Sequence, residues 1–274
     1  MSVLSELRKA YALDPRSLAL FRIGLASVLL LDVALRLPDY GVFYTDAGLL
    51  PRAALQAAHV GTGRWSLHLW SGAAWWPAVL FAVQAIAALC LLLGVQARKA
   101  ALVSWVLLLS LHGRNPLVLQ AGDALLRLVL LWAVWLPLDR VWALRPRSCP
   151  PPAVEATGTA GLTLQVTGMY ICTVLLKSGK AWHQEASAVY YALSIDPLAT
   201  ATGKWVLSLG PDVCATLTRL AYGIELILPL LILSPVRPDL CRKIALAIGI
   251  PFHLVLGIVL HLGLFPLTDV VALL

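Results

Sequence analysis

GLTLQVTGMYICTVLLKSGKAW, residues 161–182, decides how the chain is read. Its apolar run from Leu162 to Leu176 ends on Lys177, and Ser178, Gly179, Lys180, Ala181 and Trp182 follow at once. With its flanks the run is just long enough to cross a bilayer as a helix. An ammonium at the rim of such a span snorkels to the interface, pairs, or takes part in chemistry. Two readings therefore fit Lys177. It is an interfacial anchor beside Trp182, or a partly desolvated general base.

The rest of the chain puts this stretch in a membrane. Of 274 residues, 60% are hydrophobic and 13% charged. Globular chains run nearer 45–50% apolar and about 25% charged. Long apolar runs predict an all-α, polytopic transmembrane bundle rather than a barrel. The spans are read over about 17–37, 75–95, 100–112, 122–138, 161–177, 212–233 and 240–260. A short last segment begins near Leu267, after Gly263-Leu264-Phe265-Pro266, which makes seven or eight spans. The polar start, Met1 to Arg16, predicts an amphipathic surface helix rather than a signal peptide. Pro150-Pro151-Pro152 marks a linker over 145–161. No internal repeat is evident, so the chain reads as one transmembrane domain, 1–274, without a C-terminal soluble domain, and an inverted-repeat transporter has no support.

Net charge is +7, which in a membrane chain reads as topology and headgroup contact, not nucleic acid. Arg98-Lys99, Arg140, Arg145, Arg147 and Arg242-Lys243 crowd one set of loops. The positive-inside rule then places the N-terminus in the cytoplasm and Lys177 at the outer end of the fifth span. Two long outer connections, 38–74 and 178–211, are rich in aromatic residues and predict a cover over a site or along the interface.

Several ionisable residues fall in the spans: Arg22, Asp32, Asp123, Arg127, Arg219, Glu225 and Asp269. Charges there face a bundle interior. Asp123 and Arg127, four apart, have the spacing of a pair on one helix, either a strut or part of a site. Asp32, Asp123, Arg127, Lys177 and Arg219 share the outer half of this topology, which predicts a polar chamber opening outward. Tyr170 lies two helical turns before Lys177, on the same face. His112, His253 and His261 are read as packing residues or helix–helix hydrogen bonds before ligands. The five cysteines lack metal spacing, and no HExxH, Walker, dinucleotide or GxSxG pattern occurs, so no metal is expected.

Taken in order, several segments resemble the horizontally transferred transmembrane (HTTM) domain, the membrane part of vitamin K-dependent gamma-glutamyl carboxylase. They are Asp14-Pro15-Arg16 with Phe21-Arg22, Phe43-Tyr44-Thr45-Asp46 through Leu50-Pro51-Arg52, Leu93-Gly94 with Arg98, Asn115-Pro116-Leu117 and Gly122-Asp123. The longest block is Tyr170 to Trp182 with Tyr190-Tyr191-Ala192-Leu193. Glu225, Phe252-His253 and Gly263-Leu264-Phe265-Pro266 complete the series.

The resemblance implies that Lys177, five residues before Trp182, is the base that deprotonates a reduced quinone, vitamin K or menaquinone hydroquinone. Lys180 is a rival lysine. Oxygen would convert the quinol anion to a strongly basic alkoxide, which removes a C–H proton that carbon dioxide can replace, with quinone epoxide as co-product. Tyr170, Trp182, Asn115, Arg127, Arg219, Glu225 and His253 are the implied substrate- and cofactor-binding residues, with Arg127 or Arg219 as a cation beside Lys177. The implied partners are membrane lipid, quinone and a peptide or protein substrate, and the implied location is a bacterial inner membrane with the site toward the outer face. A second class of function, a non-redox maturation or accessory protein for a secreted peptide or lipid, would use the same chamber without turnover.

Overall fold

The computed structural model describes residues 11–58, 65–146, 153–154 and 157–274. Their regular structure is helical, apart from two isolated bridges, Leu13 with Val154 and Ala199 with Leu260. They form two compact units: an N-terminal unit over 13–154, and a C-terminal unit over 157–274 with Tyr11 and Ala12. Most of the expected surface helix, residues 1–10, lies outside the described residues.

The N-terminal unit holds α1 (Pro15–Arg36), α2 (Tyr40–Tyr44), α3 (Arg52–Ala58), α4 (Trp75–Leu92), α5 (Ala97–Arg114) and α6 (Ala121–Ala133). The Asp14 carboxylate accepts from Arg16 N at 2.7 Å and Pro15 pre-sets the first turn, so α1 starts two residues before the apolar run suggests. α5 outruns the short span expected over 100–112 because its charged ends have partners. Arg98 Nε donates to Val134 O at 2.8 Å, and Arg114 donates to Leu50 O at 2.8 Å and Thr45 O at 3.0 Å. α6 stops at Ala133, short of the expected Leu138, since Pro137 disfavours helix at the residue before it. Arg22 is fully buried and donates to Leu138 O and Trp142 O. Gly94, at φ +69°, lets the chain turn there, and a Cβ would fall 2.0 Å from Arg22 Nη1.

The C-terminal unit holds α7 (Thr157–Leu176), α8 (Lys180–His183), α9 (Ala188–Ser194), α10 (Ala201–Ser208), α11 (Pro211–Leu233), α12 (Pro238–Val259) and α13 (Phe265–Leu273). α7 begins inside the stretch read as linker. α11 packs on α7 and α12, and α12 on α13. Pro229 and Pro251 interrupt the hydrogen-bond ladders of α11 and α12. The long connection 178–210 is tied down: Val189 N donates to Thr218 Oγ1 at 3.1 Å, His183 meets the Tyr222 ring edge-on, and Thr200 Oγ1 donates to Ile258 O at 2.6 Å.

Five of these helices, α1, α4, α7, α11 and α12, are long and apolar enough to cross a membrane. Their outward faces carry exposed Leu164, Ile171, Leu220, Leu230, Val255 and Ile258, while Asp32, Glu225 and His253 are buried. Apolar outside and polar inside is the arrangement that suits a lipid surround.

Candidate functional site

The site is built at the end of α7. Leu176 is the last helical residue, and the chain turns through Ser178-Gly179 into α8. That turn brings Trp182 back against Lys177, with Nζ 4.6 Å from the indole centroid. Across the helix pair, Lys177 Nζ is ion-paired with Glu225 Oε2 of α11. The two side chains are only 15% and 12% exposed, so the pair is screened weakly and each group depends on the other. Pro229, four residues after Glu225, has no N–H for the Glu225 carbonyl, so the carboxylate sits where the α11 ladder is broken. Lys180 is exposed.

Below this pair, toward the start of α7, lies a second polar group. The Tyr170 hydroxyl is 2.8 Å from His253 Nε2 on α12, and His253 Nδ1 is 3.4 Å from Asp269 Oδ2 on α13. Their exposures are 2%, 3% and 0%. Lys177 lies within electrostatic reach of His253. Alongside runs an apolar groove of about 480 Å³ between α7 and α11, lined by Ile171, Val174, Leu175, Leu226, Pro229 and Leu230 among others. Its size is that of a small-molecule site and its lining accepts hydrocarbon.

Of the residues singled out in the sequence, Tyr170, Lys177, Trp182, Glu225 and His253 therefore share one unit and meet in contacting pairs. Asp269 belongs with them. The sequence marks it as an intramembrane charge, but its partner lies 16 residues away on another helix, and no local spacing betrays the contact. Arg219 is on α11 with an exposed side chain, so the charge against Lys177 is the Glu225 carboxylate and not the expected arginine. Of the residues expected to line one chamber, Asp32, Asp123 and Arg127 belong to the N-terminal unit and Lys177 and Arg219 to the C-terminal one.

The polar residues of the N-terminal unit hold helices and loops together. Arg36 bonds Asp32 at 2.7 Å, Asp123 at 2.5 Å and the Tyr44 hydroxyl at 2.8 Å. Asp123 also accepts from Gln120 N at 2.7 Å, which caps α6. The i, i+4 pairing with Arg127 is thus replaced by a longer-range one, and Arg127 is half-buried on α6. Asn115 accepts from Leu117 N and donates to Phe43 O, a backbone clamp in this unit. Asp46 accepts from Arg52 N and Nε at 2.9 and 2.8 Å. Burial opposes it, but these hydrogen bonds hold the Asp46 carboxyl below the usual carboxylate range. His68 bonds Ser110 Oγ through Nδ1 at 2.6 Å, and burial, then Arg114 and His112, push its imidazole down to about 3.

Among the described residues no cluster of three or more His, Cys, Asp or Glu could hold a metal ion. No protein-family model, curated protein or solved structure matches this chain.

Proposed function

We propose that the protein is a membrane enzyme of HTTM type, in which Lys177 deprotonates a reduced quinone, vitamin K or menaquinone hydroquinone, for reaction with oxygen. The observation that carries this reading is the pairing of Lys177 with Glu225 beside Trp182 and an apolar groove. Moving one proton from the Lys177 ammonium to the Glu225 carboxylate leaves an amine and an acid with no change in net charge. Exclusion of water favours that uncharged form of a buried pair. The amine can then take a quinol proton, and the groove can receive the quinol's hydrocarbon tail.

The balance of the proposed epoxidation is simple. One atom of dioxygen enters the quinone as epoxide, and the other leaves as water with the two quinol hydrogens. Where the intermediate alkoxide takes a proton from a C–H bond of a peptide or protein, the carbanion can bond carbon dioxide. This chemistry suits a site toward the outer face of a bacterial inner membrane, with the N-terminus in the cytoplasm, because a lipid-soluble quinol enters sideways and little water meets the reactive base.

A second reading rests on the ion pair itself. A lysine held as ammonium by Glu225 and by the Trp182 ring is a strut, and the same residues would then serve a non-redox maturation or accessory protein for a secreted peptide or lipid. The test supplies purified protein in bilayers with reduced menaquinone or vitamin K, oxygen and bicarbonate, and looks for quinone epoxide by mass spectrometry. Epoxide that needs both oxygen and protein is the expected result. Folded protein that forms none under these conditions favours the strut.

A further inference from the structure

Among the described residues, Asp269 has no cationic partner that neutralises it as a carboxylate. It is fully buried, and neither carboxyl oxygen makes a hydrogen bond among the described residues. His253 Nδ1 stands 3.4 Å from Oδ2 and is itself without a hydrogen bond among the described residues. The other ring nitrogen faces the Tyr170 hydroxyl at 2.8 Å. Phe252 and Phe265 close around the imidazole with centroids 5.0 and 6.2 Å away. Lys177, at the end of α7, is already paired with Glu225. An unpaired charge in such surroundings is costly, whereas a carboxylic acid is not.

We propose that Asp269, His253 and Tyr170 form a one-proton relay, with Asp269 as a buried proton store and the Tyr170 hydroxyl as the end that exchanges a proton with a reacting group. The chain has two states that differ by one proton. In the loaded state the Asp269 acid donates to Nδ1, Nε2–H donates to the Tyr170 oxygen, and the Tyr170 O–H is free to donate outward. When Tyr170 gives up that proton, Nε2 returns one to the phenolate and Asp269 returns one to Nδ1. The result is a carboxylate facing Nδ1–H, with the Tyr170 O–H now turned to Nε2. Three protons move, one leaves, and no bond between heavy atoms changes. The reverse sequence recovers a proton from the site. Tyr170 lies two helical turns before Lys177, so the relay would supply or collect the proton that the Lys177–Glu225 pair cannot hold. That use in turnover rests on the proposed quinol chemistry. The relay itself does not.

Infrared spectroscopy of the full chain in nanodiscs tests it without any quinone. With E225Q as the background, so that the Glu225 acid of the proposed pair adds no band, the carbonyl stretch of a protonated carboxyl should be present, and it should be lost when D269N is added. On transfer to deuterium oxide, the band should shift through exchange along the chain. In Y170F, which keeps the ring and removes the hydroxyl, that exchange should slow roughly a hundredfold, the low end of what a positioned proton-transfer group contributes. H253Q, which cuts the same chain at its middle, should slow it alike. If D269N does not fold, the exchange rates in Y170F and H253Q still decide the matter. In that background, the absence of such a band, a band that survives D269N, or unchanged exchange in both Y170F and H253Q overturns the relay. A relay confirmed here beside a protein that makes no epoxide would remove the quinol reading and leave the proton store standing.

Discussion

Lys177 and Glu225 lie 48 positions apart, and each is buried against the other. Sequence finds Lys177 from its place at the end of an apolar run and marks Glu225 as a charge within a span. It does not pair them, because no helical period links two residues on different helices. The same limit explains Arg36 and Asp123, 87 residues apart, where i, i+4 spacing points instead to Arg127. Glu225→Ala leaves an ammonium in a largely buried position and should cost about 3–5 kcal/mol, toward the lower end because both groups keep some exposure. Thermal unfolding in one detergent checks it, with Glu225→Gln expected to cost less. Asp123→Ala removes one of the two carboxylates on Arg36 and should cost about 1.5–3 kcal/mol. Arg127→Ala should change stability by no more than about 0.5 kcal/mol. Equal losses in the two variants would restore the local pair.

The helices themselves are legible because apolar runs, prolines and caps are local signals. Each expected span has a helix in the structure, with ends displaced by features such as the Asp14 cap, the partners of Arg98 and Arg114, and Pro137. The short helices α8, α9 and α10 are not legible, since each is too short to set up a helical period and their order comes from docking on α11 and α12. Gly203 marks that docking. A Cβ there would fall 2.2 Å from Val259 O, and a backbone carbonyl cannot yield as a side chain can. Gly203→Ala should therefore loosen α10 from α12 at about 1–3 kcal/mol for overpacking, and expose 178–210 to protease. Limited proteolysis that cuts variant and wild type at one rate would show that the contact does not hold the connection.

Across the whole chain the composition fixes a membrane setting, and the structure answers with five helices able to cross a bilayer and polar groups turned inward. The chemistry is the least legible level, because it depends on which buried groups meet. Stability against pH reads the N-terminal unit separately. His68 is held neutral down to about 3, while an unfolded histidine gains its proton near 6.5. Its contribution is whole above about 6.5 and is lost as pH falls toward 3, at up to ~1.4 kcal/mol per pH unit. Asp46, held below its ordinary value, adds stability that is present above about 3.9 and disappears as pH falls through its lowered folded value. Melting temperatures should therefore fall from pH 7 to 4, and His68→Asn should flatten the slope between 6.5 and 4.

The central claim is that Lys177 acts as a base, and quinone epoxide formation by wild type and K177A at equal folded concentration tests it most directly. Wild type should form epoxide, and K177A should form it about 10²–10⁴-fold more slowly, the range for a positioned general base, with both proteins folded. Equal rates in the two proteins would contradict it.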